Sequence, residues 1–299
     1  MKPADSPFQL LVRKLRQMEI RILKTVDAQL QGDFHSVFKG TGLEFDDVRL
    51  YQYGDEVRAI DWAVSSKGHG TFVKTYKEER EQQVVLLLDV SASQQVGAEG
   101  RRKLDVGREI CGVLALAAAR QDAQLGILAF SDQKELYMAP GKGTHHAYGL
   151  IKRLFALEPR SRQTAVAAGI KQALSLLKRR TIVLLISDFI DADYERELTM
   201  LARKHDLVVL QLLDKREREF PPLGIIPLHD QESGRTVWVN TSSAAFRDRY
   251  RATYEQNREQ IGQICRRHRT EYLSIATDTD FVPQLVNLFR RRNQRGARG

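Results

Sequence analysis

The stretch Val84-Val85-Leu86-Leu87-Leu88-Asp89-Val90-Ser91-Ala92-Ser93 decides the fold of this 299-residue chain. Its aliphatic run predicts a β-strand buried on both faces, because a strand with one solvated face would alternate apolar and polar residues. The run ends at an acidic residue, and hydroxyl side chains follow at alternate positions. Ligands of an open parallel sheet bind beyond the carboxyl ends of its strands, so this loop is the first candidate for a functional site.

Strands and helices alternate from this stretch onward. Hydrophobic spacing predicts strands at 84–90, 124–130, 135–139, 181–187, 207–213 and 271–276, and helices at 103–120, 144–155, 165–178, 193–204, 243–268 and 281–290. This alternation implies an α/β fold, a Rossmann-like arrangement with a mostly parallel central sheet flanked by helices. Residues 214–241 interrupt the pattern with several prolines, and the Ser233-Gly234 pair predicts an inserted β-hairpin there.

Local composition and hydrophobic spacing divide the sequence into three predicted parts. Residues 1–80 show helical apolar spacing over 8–30 and then a stretch rich in glycine and aromatic residues, which predicts a small appendage of helix and short strands. Residues 81–292 carry the α/β pattern, and residues 293–299 form a basic tail. We therefore expect one α/β domain with an N-terminal subdomain.

Composition narrows the class of protein. Hydrophobic residues make up 42% and charged residues 28%, as in ordinary globular proteins. The two cysteines have no zinc spacing and cannot build a disulfide framework, which favours a cytoplasmic location. The longest apolar runs are far shorter than the roughly 20 residues that span a bilayer, so no transmembrane segment is expected. Peripheral membrane association stays compatible with the sequence.

The net charge of +9 lies mainly near the end of the chain. Residues 241–299 hold 12 arginines and 6 acidic residues. No aromatic residue interleaves with the arginines of the tail, so nucleic acid is not the expected partner. A solvated terminus is the simplest interpretation, and an acidic protein partner is the alternative.

Acidic and hydroxyl side chains follow two of the predicted strands. Asp89, Ser91 and Ser93 follow the strand at 84–90, and Asp188 follows the strand at 181–187. Because parallel strands end at a common edge, we expect these side chains to lie close together. Carboxylate and hydroxyl oxygens are hard ligands that suit Mg²⁺ or Mn²⁺. The pattern predicts a metal site here, with Asp188 acting directly or through water. Turn or helix capping is the alternative role for each residue.

A third hydroxyl extends the predicted ligand set. Thr164 directly precedes the predicted helix at 165–178, which places it beside the same edge of the sheet. Thr144, which follows Gly141-Lys142-Gly143, is the rival for this position. A plain N-cap is the alternative role for Thr164.

The ordered set Asp89-x-Ser91-x-Ser93, Thr164 and Asp188 resembles the metal-ion-dependent adhesion site of von Willebrand factor A domains. The resemblance implies a metal bound by these five residues, with one coordination position left for a carboxylate of a partner. Gln94 departs from the pattern, since methionine or glycine often follows the second serine there.

A second resemblance lies upstream. The stretch Tyr51–Trp62 resembles the signature of the bacterial family called domain of unknown function 58, Gly-Asp-x-x-Arg-x-Ile-Asp-Trp, and the likeness covers roughly residues 35–290. It implies proteins that work alongside MoxR-type AAA+ ATPases in assembly, maturation or metal insertion, here with an unknown client. The matching residues that we consider for partner binding are Gly54, Asp55, Arg58, Asp61 and Trp62. The alternative is structural, with Asp55 and Arg58 forming an ion pair and Trp62 capping the core.

These observations favour a non-enzymatic adaptor or co-chaperone. Neither histidine nor lysine stands near the motifs in sequence as a general base, and no P-loop, dinucleotide fingerprint or Gly-x-Ser-x-Gly motif occurs. The alternative is a metal-dependent phosphoesterase, either a phosphatase or a nuclease built on Asp55, Asp61 and Glu78.

Overall fold

A computed structural model describes residues 43–68, 70–78, 83–219, 221–229 and 235–296. The predicted helix at 8–30 and the predicted Ser233-Gly234 turn lie outside these residues. The chain divides into compact units, of which residues 39–82 form a small one. The described residues from 83 onward belong to a larger unit.

The small unit is built on an antiparallel strand pair. Strand β1 (Leu43–Leu50) pairs with β2 (Phe72–Glu78). A 3₁₀ turn at Val57–Ala59 and the short helix α1 (Trp62–Ser65) lie in the connection between the two strands. Helix α1 begins where the side chain of Asp61 accepts hydrogen bonds from the two backbone N–H groups that follow Trp62.

The larger unit alternates strands and helices. Its strands are β3 (Gln83–Asp89), β4 (Gly97–Ala98), β5 (Arg101–Arg102), β6 (Gln124–Phe130), β7 (Lys134–Gly141), β8 (Ile182–Ser187), β9 (Asp206–Leu213), β10 (Ile225–His229), β11 (Thr236–Asn240) and β12 (Glu271–Ala276). Its helices are α2 (Lys103–Arg120), α3 (Gly143–Phe155), α4 (Val166–Leu176), α5 (Glu195–Lys204), α6 (Lys215–Arg218), α7 (Ala244–Arg267) and α8 (Val282–Gly296).

Six strands form the central sheet in the order β12-β9-β8-β3-β6-β7. All neighbouring pairs are parallel except β6 and β7, so β7 is an antiparallel edge strand. The predicted α/β class with a mostly parallel sheet is therefore confirmed. Strands β10 and β11 form a separate antiparallel hairpin where residues 214–241 predict one.

Helices cover both faces of this sheet. In β3, Leu86 and Leu88 pack with α2, α3 and α8 on one face, whereas Val85 and Leu87 pack with α4, α5 and α7 on the other. None of the four is more than 1% exposed. Each such buried aliphatic side chain contributes about 1.5–3 kcal/mol to folding. The continuous aliphatic run of β3 is thus explained by burial on both sides.

Most element boundaries lie within two residues of the sequence-based expectation, and the end of the last helix differs most. The last helix ends at Gly296 rather than at 290, so its final turns include residues that we assigned to the basic tail. Strand β7 is longer than predicted, because pairing with β6 continues to Gly141. No helix among the described residues is long and apolar enough to cross a membrane.

His205 is buried at the end of α5 without a polar partner. It is 2% exposed, and neither ring nitrogen has a hydrogen-bond partner among the described residues. Burial, assisted by the charge of Lys204, lowers the pKa of His205 to about 4. The folded protein therefore keeps this imidazole neutral where the unfolded chain, with a pKa near 6.5, takes up a proton.

This difference predicts acid sensitivity. The free energy of unfolding should fall by roughly 2 kcal/mol as the pH is lowered from about 6.5 to about 4, because only the unfolded state gains the proton in that window. Urea unfolding of wild type and His205→Leu at several pH values measures the effect. Titratable groups that both proteins share contribute equally, so the difference in the free energy of unfolding between the two proteins isolates His205. The same dependence of this free energy on pH in both proteins would contradict the prediction.

Candidate metal centre

The strand order creates a crevice beside the carboxyl end of β3. From β3 the chain crosses to β6 on one side, and β8 later adds to the other side. The helices that lead to these two neighbours, α2 and α4, lie on opposite faces of the sheet. Such a switch point leaves the loops after the two central strands splayed apart, and ligands bind there. Asp89 and Asp188 end the two strands that flank this point.

Asp89 lies at the centre of a buried hydrogen-bond network. It is 0% exposed. Its Oδ1 accepts from the backbone N–H of Ser91 at 3.0 Å and from the Ser91 hydroxyl at 2.6 Å. Its Oδ2 accepts from the Ser187 hydroxyl at 2.7 Å and from Gln94 Nε2 at 3.3 Å. The carboxylate is thus fixed in one orientation at the end of its strand.

The two serine hydroxyls extend this cluster of oxygens. Ser91 Oγ lies 2.6 Å from Asp89 Oδ1 and 3.1 Å from Ser93 Oγ. In an octahedral Mg²⁺ site with bonds of about 2.0–2.1 Å, adjacent ligand oxygens are about 2.9 Å apart. The spacing in this loop therefore suits neighbouring ligands of one small cation. Gln94 Oε1 is also buried, with no partner among the described residues.

Asp188 enters from the adjacent strand end. It is 1% exposed, and its Oδ1 accepts from the backbone N–H of Ile190 at 3.1 Å. The next residue, Phe189, has φ 58° and is itself buried. A bulky residue in this left-handed region costs about 1–3 kcal/mol, and such strain is concentrated at functional sites. The turn that aims Asp188 is held by the Phe189 N–H, which donates to Ser187 Oγ at 3.0 Å.

A lysine lies in this site, contrary to the expectation that none stands nearby. Lys103, the first residue of α2, is 0% exposed and donates to Asp188 Oδ2 at 2.5 Å. It also pairs with Glu217 on α6, a third carboxylate that the sequence analysis did not consider. The expectation considered only residues close to the motifs in sequence. Lys103 contacts Asp188 although the two residues are 85 positions apart.

Burial and charge shift the pKa values of these groups. Burial, and then the charge of Asp188, raise the pKa of Asp89 to about 6, against the opposing hydrogen bonds from Ser91 and Ser187. Burial also raises the pKa of Glu217, although Lys103 opposes the shift. Burial alone would lower the pKa of Lys103, but the charges of Asp188 and Glu217 prevail and raise it. The lysine is therefore held as an ammonium.

The charge of the cluster suits a divalent cation. With every group ionised, the three carboxylates of Asp89, Asp188 and Glu217 outnumber the single ammonium of Lys103 by two charges. Uncompensated buried charge is costly, and a divalent ion would neutralise this excess. No group of three His, Cys, Asp or Glu that could hold a metal occurs among the described residues. The candidate ligand set instead combines two of these carboxylates with hydroxyls.

Thr164 and its rival lie at different edges of the sheet. We call residues 89–93, which carry Asp89, Ser91 and Ser93, the serine loop. The Ala92 N–H donates to the Arg162 carbonyl at 3.0 Å, so the segment before α4 lies against this loop. Thr164 follows Arg162 by two residues and is half-buried there. The prediction that Thr164 is a ligand remains compatible with this placement.

Thr144 is at the opposite edge. It begins α3 just after Gly141, which pairs with Leu125 near the amino end of β6. Asp89 pairs with Phe130 at the carboxyl end of the same strand, five residues further on. At about 3.3 Å per residue the two positions are separated by roughly 16 Å along the sheet. Thr144 therefore cannot share a metal with Asp89.

The signature residues of the small unit lie in the connection between β1 and β2. Asp55 forms an ion pair with Arg49 at 2.6 Å, not with Arg58, so the proposed Asp55–Arg58 pair is wrong. The hydrogen bond from Arg49 lowers the pKa of Asp55. Trp62 is 67% exposed and does not cap a core. Gly54 has φ 106°, a left-handed turn that favours glycine.

Asp61 has a structural role in this connection. Its Oδ1 accepts from the N–H groups of Ala63 and Val64 at 3.0 and 3.1 Å, and its Oδ2 lies 3.5 Å from Lys74 Nζ. The Val64 N–H, more than any other neighbour, lowers the pKa of Asp61. The signature therefore fixes a turn and a short helix that present Trp62 to solvent.

The comparisons with known proteins identify one family. The family described as "Protein of unknown function DUF58" matches residues 47–260. Uncharacterized proteins of Mycobacterium tuberculosis (Rv1480) and Mycobacterium bovis (Mb1516) are each 27% identical over 290 residues, which cover 96% of this chain and 91% of the relative.

Similar solved structures are more distant. A conserved hypothetical protein, BatB from Bacteroides thetaiotaomicron, is 13% identical, with a TM-score of 0.44 over 71% of this chain and 99% of that one. Proximal thread matrix protein 1 from the mussel byssus is 17% identical, with a TM-score of 0.36 over 44% of this chain and 38% of that one.

Proposed function

The chain belongs to the DUF58 family, and from that premise we propose that it is a non-enzymatic, metal-dependent protein-interaction module of von Willebrand factor A type. One observation carries this proposal. The oxygens of Asp89, Ser91 and Ser93 converge, at the spacing of ligands on a small cation, where the sheet opens beside Asp188.

Each residue has a defined part in this proposal. Ser91, Ser93 and Thr164 offer hydroxyl oxygens, while Asp89 and Asp188 supply negative charge, directly or through water. When bound, Mg²⁺ or Mn²⁺ would supply a positive coordination position that a carboxylate of a partner can fill. Lys103 and Glu217 hold the Asp188 side of the site in place.

The basic side chains near the site do not offer a general base. Two carboxylates hold Lys103 as an ammonium, so this lysine is not unprotonated near neutral pH. Among the histidines of the described residues, His146 hydrogen-bonds the Leu125 carbonyl at the opposite edge of the sheet. His205 lies at the amino end of β9, also away from the carboxyl edge.

The enzymatic alternative has a direct test. We expect the purified protein with Mg²⁺ not to hydrolyse generic phosphomonoester and phosphodiester substrates above the rate of a buffer control. Turnover that Asp89→Ala abolishes would favour the phosphoesterase instead. Including Thr144→Ala, altered at the far edge of the sheet, controls for contaminating enzymes.

We also propose that the partner is a MoxR-type AAA+ ATPase, with which the protein acts as adaptor or co-chaperone on an unknown client in assembly or maturation. Family membership and the exposed Trp62 in the signature segment support this proposal. In it, Gly54, Asp55, Arg58 and Asp61 shape the segment that presents Trp62.

Recovery of this ATPase in a pull-down should depend on the hydroxyl ligands. Ser91→Ala and Thr164→Ala are each expected to lower the amount of ATPase recovered by about tenfold or more. The reason is that loss of even a residue that supports a metal ligand lowers affinity for the metal by about 10–100-fold. Thr144→Ala is the matched control and should bind as wild type. Substitutions test this better than chelation, which would also remove Mg²⁺ from nucleotide on the ATPase. Equal recovery with all three variants would contradict the proposal.

A further inference from the structure

A pocket of about 580 Å³ opens beside Ser91, within the larger unit. Its size lies within the range of small-molecule and peptide sites. The lining residues are Val90, Ser91, Ala92, Gln95, Gly97, Arg102, Pro159, Ser161 and Arg162. Two of them are arginines and none is acidic. The buried acidic cluster is therefore joined to a neighbouring pocket of opposite charge.

Among the described residues, the guanidinium groups of the two arginines form no ion pair. Arg102 precedes α2, and its Nη1 donates to Gln95 Oε1 at 3.1 Å. The carbonyl of Arg162 accepts a hydrogen bond from the Ala92 N–H, so Arg162 lies beside the serine loop. Both are exposed, and neither has a carboxylate within ion-pair distance among the described residues. Guanidinium groups bind carboxylates in a two-pronged geometry, so this pair is available to an incoming acidic group.

From this arrangement we infer that the partner segment carries two acidic residues close together in sequence. One carboxylate would meet the metal beside Ser91, as the proposed function requires, and the second would bind Arg102 and Arg162. The inference therefore rests on the proposed function and specifies its ligand as an acidic peptide.

The lining favours a peptide over a nucleic acid. None of the described residues that line the pocket is aromatic, so they offer no surface on which bases could stack. The accessible lining is mostly polar, since Val90 and Ala92 are buried and Pro159 is only partly exposed, and such a lining suits the backbone of an extended peptide. Inorganic phosphate is the competing ligand, since its oxygens could bind the arginines or the metal, and it is therefore included in the test.

The test uses short fluorescent peptides with Mg²⁺ present. The two-acid peptides carry two aspartates in a glycine background, adjacent or separated by one or two residues, and in the one-acid peptide the second aspartate is asparagine. At least one two-acid peptide should bind about tenfold more tightly, because contacts with two exposed guanidinium groups, each near the upper end of what a surface pair contributes, together give about this factor. The double variant Arg102→Gln/Arg162→Gln should remove this advantage, so that the one-acid and two-acid peptides bind it with equal affinity.

Arg203→Gln is the matched control, because Arg203 is an exposed arginine in the last turn of α5, at the opposite edge of the sheet. It should preserve the tenfold difference. Equal affinities for both kinds of peptide, no binding of any peptide, or an equal loss for both in the double variant would overturn the inference. Displacement of the two-acid peptide by low concentrations of inorganic phosphate would also overturn it, in favour of a phosphate site.

Failure of the inference can be told apart from failure of the proposed function. If the one-acid peptide binds only with Mg²⁺ and only when Asp89 is intact, but the second acid adds nothing, the proposed function stands and the inference is wrong. If peptide binding is unchanged by chelation and by Asp89→Asn, the proposed function fails, and with it the two-point binding inferred here.

Discussion

Replacing Lys103 with methionine is expected to lower the free energy of unfolding by about 3–5 kcal/mol, the usual cost of removing one partner of a buried ion pair. Methionine has similar length, so the change removes charge more than volume. It leaves the buried carboxylates of Asp188 and Glu217 without their ammonium. Urea unfolding at neutral pH without divalent ions measures the loss.

Two further variants show where the loss arises. Lys103→Met/Glu217→Gln should recover part of it, since one stranded carboxylate becomes neutral. Lys215→Met is the matched control, because Lys215 is 74% exposed and pairs at 3.7 Å with Asp278, which is 51% exposed. Surface pairs contribute about 0–1 kcal/mol. If Lys103→Met lowers the free energy of unfolding no more than Lys215→Met does, the buried pair does not stabilise the fold as described.

Lys103→Met also tests whether the metal binds beside Asp188. Without Lys103 the cluster carries three carboxylates and no ammonium, so a divalent ion has more charge to neutralise. Added Mg²⁺ should therefore stabilise Lys103→Met by more than it stabilises the wild type. An equal or smaller gain would place the metal away from Asp188.

Mg²⁺ is expected to stabilise the wild-type protein by about 2.7 kcal/mol at 100 times its dissociation constant, because it binds the folded state alone. For a chain of this size that corresponds to a rise of several degrees in melting temperature. Thermal unfolding during a Mg²⁺ titration measures the shift. Asp89→Asn should abolish it, because the substitution removes the central carboxylate of the site.

Without metal, Asp89→Asn should lower the free energy of unfolding only slightly. Asp89 is buried, and the charge of Asp188 disfavours its ionised form. Asparagine removes that repulsion, and the Gln94 amide can turn so that its unpartnered oxygen accepts from the new N–H group. A Mg²⁺ response that survives in Asp89→Asn would show that the ion binds elsewhere.

Sequence patterning was sufficient to predict the sheet and the edge at which the site lies. The aliphatic runs of β3 and β8 identify strands covered on both faces, and parallel strands must bring the residues that follow them to one edge. Asp89 and Asp188 are therefore neighbours for a topological reason. Hydroxyls at alternate positions after β3 then lie on one side of the loop.

What sequence reasoning missed depends on side chains brought together from distant elements. Lys103 begins α2 and Glu217 lies within α6, yet no local pattern marks a lysine as buried. One usable signal existed, because a helix that follows a parallel strand starts at the carboxyl edge. Examination of the first turn of α2 would have placed Lys103 beside the serine loop.

The signature segment was misjudged for a related reason. Asp55 and Arg58 are close in sequence, but the turn at Gly54 directs Asp55 toward Arg49 on β1. The structural alternative to partner binding placed Trp62 as a cap on the core. The helix that Asp61 begins is too short to cover it, and the indole is left exposed.

A crystal grown with Mn²⁺ would show where the metal binds, since anomalous scattering locates the ion without assumptions about its ligands. We expect one strong peak within bonding distance of the Ser91 and Ser93 hydroxyls, beside Asp89 and Asp188, and none there in Asp89→Asn. A wild-type crystal at saturating Mn²⁺ with no peak in this crevice, or with its peak at another part of the chain, would show that these residues do not form the metal site.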